Sequence, residues 1–123
     1  MRPARPDMHE FKELVVEALD ALPERFQALL ENVAVVVEDE PSQEDLEQVG
    51  MTSNDGELLG LYHGVPLTER DIAYSGLPDR VLIYRGPILR SCADNAEVRQ
   101  QVCETVTHEI GHHFGLSEDE MVF

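Results

Sequence analysis

An α+β domain is predicted by two features of the chain: stripes of apolar residues at helical spacing near both ends, and short β-branched or aliphatic runs bounded by turn residues between them. A third feature directs attention to the last helix, which carries the string His108-Glu109-Ile110-Gly111-His112. At 123 residues the chain can bury a core without disulfides or a structural metal. Residues 1–123 read as a single domain, without internal repeat, low-complexity segment or dividing linker.

The first helix starts at a capping box, Asp7 with Glu10 three residues on, and carries Met8, Phe11, Leu14, Val15, Ala18, Leu19 and Leu22 along one face. Pro23 suits the first turn of a second short helix, whose Phe26, Leu29 and Leu30 extend that face. Val33-Ala34-Val35-Val36-Val37 is too short for a helix and reads as a strand buried on both faces, ended by Pro41-Ser42. Gln43 to Val49 reads as a polar helical segment capped by Ser42. Leu58-Leu59-Gly60-Leu61-Tyr62 is a second strand, closed by Gly64-Val65-Pro66. A third runs from Asp79 to Arg85, with Val81, Leu82, Ile83 and Tyr84 between charged ends. Between these two, Leu67 to Pro78 lacks periodicity and exceeds most connections in length, which marks it as a candidate lid, more mobile than the strands it joins.

Asp94 with Glu97 opens the last helix, which places Val98, Val102, Val106, Ile110 and Phe114 at every fourth position. At about 100° per residue these cover one side, while Gln101, Thr105, His108 and His112 gather on another. One turn apart, the imidazoles of His108 and His112 can converge on one ion, and neutral imidazole suits Zn2+. Glu109 lies about 60–100° round from them, off the ligand line but within reach of a water on the metal, which is the place of a general base. The same pattern also arises on ordinary solvated helices. Gly115, just past the last turn, separates this string from those: a left-handed cap there turns the chain back toward the histidine face. In the metzincin spacing a third ligand stands three residues beyond such a glycine, at Glu118 here, with Asp119 and Glu120 as competing carboxylates. His113 falls in the apolar arc and reads as a core or supporting histidine, while His9 and His63 have no partner spacing.

A net charge of −16 and a pI of about 4.4 argue against nucleic acid and anionic membrane surfaces as partners, because both require clustered Lys and Arg. No apolar run approaches the roughly 18 residues needed to span a bilayer, and Met1 to Pro6 leads into a charged helix, so the expected location is cytoplasmic. Cys92 and Cys103 have no paired metal-binding spacing, and two reduced thiols are the default. Cys103 points away from the histidine face, while Cys92, in the turn before the last helix, could approach a metal as the cysteine of a deformylase-like site.

Three stretches together resemble a known family: His108 to Glu118, Gly60 to Arg70 (Gly-Leu-Tyr-His-Gly-Val-Pro-Leu-Thr-Glu-Arg), and Leu77 to Arg85 (Leu-Pro-Asp-Arg-Val-Leu-Ile-Tyr-Arg). They look like the mini-zincins, small bacterial zincin-like metallopeptidases. The resemblance implies a minimal zincin-like α+β fold, with two N-terminal helices and a small mixed sheet packed on the C-terminal active-site helix. It further implies hydrolysis of a peptide or protein substrate, zinc held by His108 and His112, Glu109 as catalytic base, and Glu118 where the family has aspartate. It also implies that the strand before the active-site helix, Asp79–Arg85, edges the cleft and pairs with an extended substrate. Two other functions fit the same residues: a zincin-fold binding or regulatory module with metal absent or structural, and a metallohydrolase of a non-peptide amide. Tyr62, Tyr74, Tyr84 and His63 are candidates for the oxyanion-stabilising group by residue type.

Overall fold

The first helix, α1 (Met8–Asp20), begins where its cap predicts: the Asp7 carboxylate accepts from the Glu10 amide at 2.8 Å and the Glu10 carboxylate from the Asp7 amide at 3.3 Å. The structure, a computed structural model, describes residues 5–27, 30, 33–52, 56–64, 79–113 and 115. After α1 follow α2 (Glu24–Gln27), β1 (Val33–Glu38), α3 (Gln43–Gln48), β2 (Gly60–His63), β3 (Asp79–Tyr84), α4 (Arg85–Ser91) and α5 (Asn95–His113). The class is α+β, with a three-stranded mixed sheet and a long C-terminal helix. None of the described helices is long and apolar enough to cross a membrane. The candidate lid, Leu67–Pro78, lies outside the described residues.

One core joins α1, α5 and one face of the sheet. Phe11, Val15, Ala18 and Leu22 meet Val98, Val102, Val106 and Ile110 of α5, together with Val81 and Ile83 of β3 and Ile88 of α4. The four α5 residues are fully buried. At roughly 1.5–3 kcal/mol for each such side chain withdrawn from water, this stripe outweighs the surface ion pairs in holding the helix, since those contribute about 0–1 kcal/mol apiece. The opposite sheet face carries a smaller cluster of Leu61, Leu82 and Tyr84, with Val36 and Leu58 packed on it. α3 is tied there through Asp45, whose amide donates to the cap residue Ser42 at 3.0 Å and whose Oδ2 accepts from the Tyr84 hydroxyl at 2.7 Å.

The strand order β1-β3-β2 corrects two expectations. β3 is the central strand, paired parallel with β1 (Val33 opposite Asp79, Glu38 opposite Tyr84) and antiparallel with β2 (Gly60 opposite Ile83, His63 opposite Arg80). Asp79–Arg85 therefore has no open edge for a substrate strand, and Arg85 already belongs to α4. The physical reason lies in the run Val81 to Tyr84: Val81 and Ile83 face α5 while Leu82 and Tyr84 face the smaller cluster, and a strand apolar on both faces needs cover on both. Conversely, Val33–Val37 is an outer strand, with Ala34 and Glu38 exposed and the valines half-buried. Its β-branched composition suits a pleated half-buried surface and does not by itself require burial on both sides.

α4 was not expected from the sequence. Gly86, Pro87 and Ile88 in its first turns are buried, and proline is tolerated there because the early amides of a helix have no internal partner. Arg85 donates to the Pro6 carbonyl at 2.8 and 3.0 Å, Arg90 pairs with Glu40 and Glu57, and Arg5 donates to the Leu89 and Cys92 carbonyls. Cys92 packs in the main core, and burial pushes its thiol up, away from the thiolate a metal ligand needs. The deformylase-like reading of Cys92 falls with that placement. Cys103 is half-buried against the same core.

Candidate metal centre

The phase of α5 is set at its start, where the Glu97 amide donates to Asp94 Oδ1 at 2.9 Å and Glu97 Oε2 accepts from the Ala93 amide at 2.6 Å. With Val98, Val102, Val106 and Ile110 turned into the core, the adjoining face carries Gln101, Thr105, His108 and His112. Gln101 Nε2 donates to Thr105 Oγ1 at 3.1 Å, and Thr105 is buried beneath β2. One turn further the His108 and His112 rings stand 4.6 Å apart at 62°.

Glu109 is 7% exposed, and its Oε2 lies 3.5 Å from His112 Nδ1. Its burial follows from Gly60. A Cβ at Gly60 would come to 2.8 Å of Thr105 Cγ2, 3.1 Å of Glu109 Cγ and 3.1 Å of the Leu82 carbonyl. Glycine therefore lets β2 lie directly on α5 at the level of the carboxylate, a strand position where close backbone approach is the use of the residue. Two positions along, on the same strand face, the Tyr62 ring meets His112 with centroids 6.5 Å apart at 74°.

A cavity of about 580 Å³ opens beside these groups, lined by Glu109 and His112 from α5, residues 60–64 from β2 and its turn, and Gln48 and Val49 at the end of α3. A smaller one, about 260 Å³, is bounded by Thr105, His108 and Glu109. Glu109 thus stands in the wall between the two spaces.

One ligand-type atom from each of His108, Glu109 and His112 lies within 4.8 Å of the others. Neighbouring ligands on a tetrahedral ion with bonds of about 2.0–2.1 Å sit roughly 3.3 Å apart, so rotation of half-exposed imidazoles closes the difference. The two imidazoles suit a borderline divalent metal, and the Glu109 carboxylate beside them is close enough to meet a water on such an ion. Gly115 has φ 72° and its amide donates to the His112 carbonyl at 3.0 Å, the left-handed cap expected at that residue. Glu118, Asp119, Glu120, Phe114 and the side chain of His113 lie outside the described residues.

Of the oxyanion candidates, Tyr62 and His63 line the large cavity, Tyr84 is buried on the far face of the sheet against Asp45, and Tyr74 is outside the described residues. The role of Gly60 was missed from sequence, although an isolated glycine inside a strand run is the signal that marks such an approach.

A family model described as zincin-like metallopeptidase matches residues 30–122. Among solved structures, a conserved hypothetical protein from T. thermophilus is similar: 26% identical, with 89% of this chain and 94% of that chain covered and a TM-score of 0.59. No curated protein matches the chain.

Proposed function

The chain belongs to the zincin-like metallopeptidase family, and from that membership we propose that it is a zinc-dependent peptidase acting on peptide or protein substrates, with His108, His112 and Glu118 as metal ligands and Glu109 as general base. The observation that supports this most directly is the Glu109 carboxylate: 7% exposed, within the same 4.8 Å group as the imidazole nitrogens, and bordering a cavity of about 580 Å³. When bound, zinc supplies a water acidified to a pKa of about 7 and an electrophile for the scissile carbonyl. Glu109 has the proton work: a carboxylate oxygen accepts the proton of the attacking water and delivers it to the departing amine nitrogen. Its burial limits competition from bulk water for that proton.

β2 is the track that suits the substrate. One of its edges is taken by β3, and among the described residues no strand pairs the other, so an extended peptide can add there through backbone hydrogen bonds. Protein purified without chelator or metal-affinity column should contain stoichiometric zinc, and Glu109→Gln should keep the metal while losing roughly 10²–10⁴ in turnover of a peptide library. Absence of the metal, or a Glu109→Gln variant that cleaves like wild type, ends this reading.

A further inference from the structure

Asp79 opens the central strand as a carboxylate only 1% exposed, and the hydrolytic reading makes no use of it. A buried charge is costly unless hydrogen bonds replace the lost water. Here the Tyr62 hydroxyl donates to Asp79 Oδ2 at 2.5 Å, a short bond of the kind made to ionised acceptors. Gly64 makes room for it: a Cβ at that position would overlap the Asp79 carboxylate. Tyr62, so held, sets its ring edge-to-face against the ring of His112. Three residues far apart in sequence therefore converge on one arrangement, in which a carboxylate fixes a phenol and the phenol bounds an imidazole.

We propose that Tyr62 and Asp79 are positioning residues for His112, a role that rests on His112 being a metal ligand. The His112 side chain is 39% exposed, so burial alone does not fix its ring. Glu109 lies beside Nδ1, and the Tyr62 ring supports the strand side. Groups of this kind, which touch a ligand rather than the metal, hold ring orientation and thereby affinity. The hydroxyl proton of Tyr62 is committed to Asp79, so Tyr62 acts through its ring and is not the donor to the substrate oxyanion.

The test compares wild type, Tyr62→Phe, Tyr62→Leu and Asp79→Asn as full-length chains. Zinc affinity is measured by competition with a chromophoric chelator, and the His112 ring by a long-range proton–nitrogen correlation spectrum of the metal-free protein. Tyr62→Phe keeps the ring and the volume but loses the bond; it should weaken zinc by roughly 10-fold and shift or broaden the His112 signals. Tyr62→Leu should weaken zinc further, and Asp79→Asn, which exchanges the carboxylate acceptor of the hydroxyl for a neutral amide, should weaken zinc in the same direction as Tyr62→Phe but less. If Tyr62→Phe lowers only the melting temperature, with zinc affinity and the His112 spectrum unmoved, the pair is a brace of the fold and the proposal is wrong. If Tyr62→Phe binds zinc normally but loses turnover, the hydroxyl touches substrate and the proposal is equally wrong. Should wild type bind no zinc, the peptidase reading falls separately, and the spectrum alone decides whether Tyr62 sets the ring.

Discussion

At the scale of single residues, the site turns on which carboxylate does what. Glu109 is adjacent in sequence to one histidine and 3.5 Å from the other, and in the proposed mechanism, where it moves the proton, the third ligand falls to a carboxylate beyond Gly115. Gly115 has the left-handed φ of 72°, and among Glu118, Asp119 and Glu120, which follow it in sequence, the first has the metzincin spacing. As a ligand, Glu118 would have a side chain one methylene longer than an aspartate, which would have to fold back or shift the turn to bring oxygen within about 2.0–2.2 Å of zinc. Alanine substitutions at the three positions should therefore separate cleanly in zinc titrations, with Glu118→Ala losing affinity and the other two retaining it. Loss at Asp119 or Glu120 instead would reassign the ligand.

At the scale of elements, the contact of β2 with α5 governs the geometry of Glu109. Gly60→Ala places a methyl group against Thr105 and Glu109, where no flexible side-chain end can yield cheaply, since Thr105 is buried and the third neighbour is the Leu82 backbone. Overpacking of this sort costs about 1–3 kcal/mol, and urea denaturation should show that loss together with weakened zinc binding as the helix and strand separate. The elements themselves were largely legible beforehand for a local reason: the caps at Asp7, Ser42 and Asp94 and the four-residue spacing from Val98 to Ile110 are written within one turn or one helix. The His-Glu-x-x-His string was legible for the same reason. Strand order was not, because the pairing of Val33 with Asp79 joins residues far apart in sequence, and no local pattern distinguishes a central strand from an edge that is apolar on both faces. The Tyr62–Asp79 bond and the approach at Gly60 depend on that register and stayed hidden with it.

At the scale of the whole molecule, one contribution to the acid side of the stability profile comes from the tie between α3 and the sheet. Burial opposes the charge on Asp45, but hydrogen bonds from the Tyr84 hydroxyl and from Ser42 outweigh it, and nearby His63 adds to them, so its carboxyl lies below the usual range. Tyr84 responds in the opposite sense, pushed up first by burial and then by its bond to Asp45. A carboxyl depressed in the folded state contributes stability above its unfolded value of about 3.9, and that contribution disappears as pH falls through the lower folded value. Tyr84→Phe should therefore cost about 1–2 kcal/mol at pH 7, with the deficit narrowing in strong acid; denaturant titrations across that range check it. A deficit that is constant with pH would show that packing, not the charge on Asp45, sets the cost.

The outer edge of β2, which no strand pairs among the described residues, has a consequence for how the molecule meets its own kind. An unpaired row of amides and carbonyls invites any strand, including the same strand of a second copy, and proteins commonly protect such edges with charge. Each chain carries a net charge of −16, so two copies repel as they draw near, and the repulsion is felt before the edges can align. Under the proposal that a substrate strand adds to this edge, the same acidity favours neutral or cationic chains over a second copy of the protein.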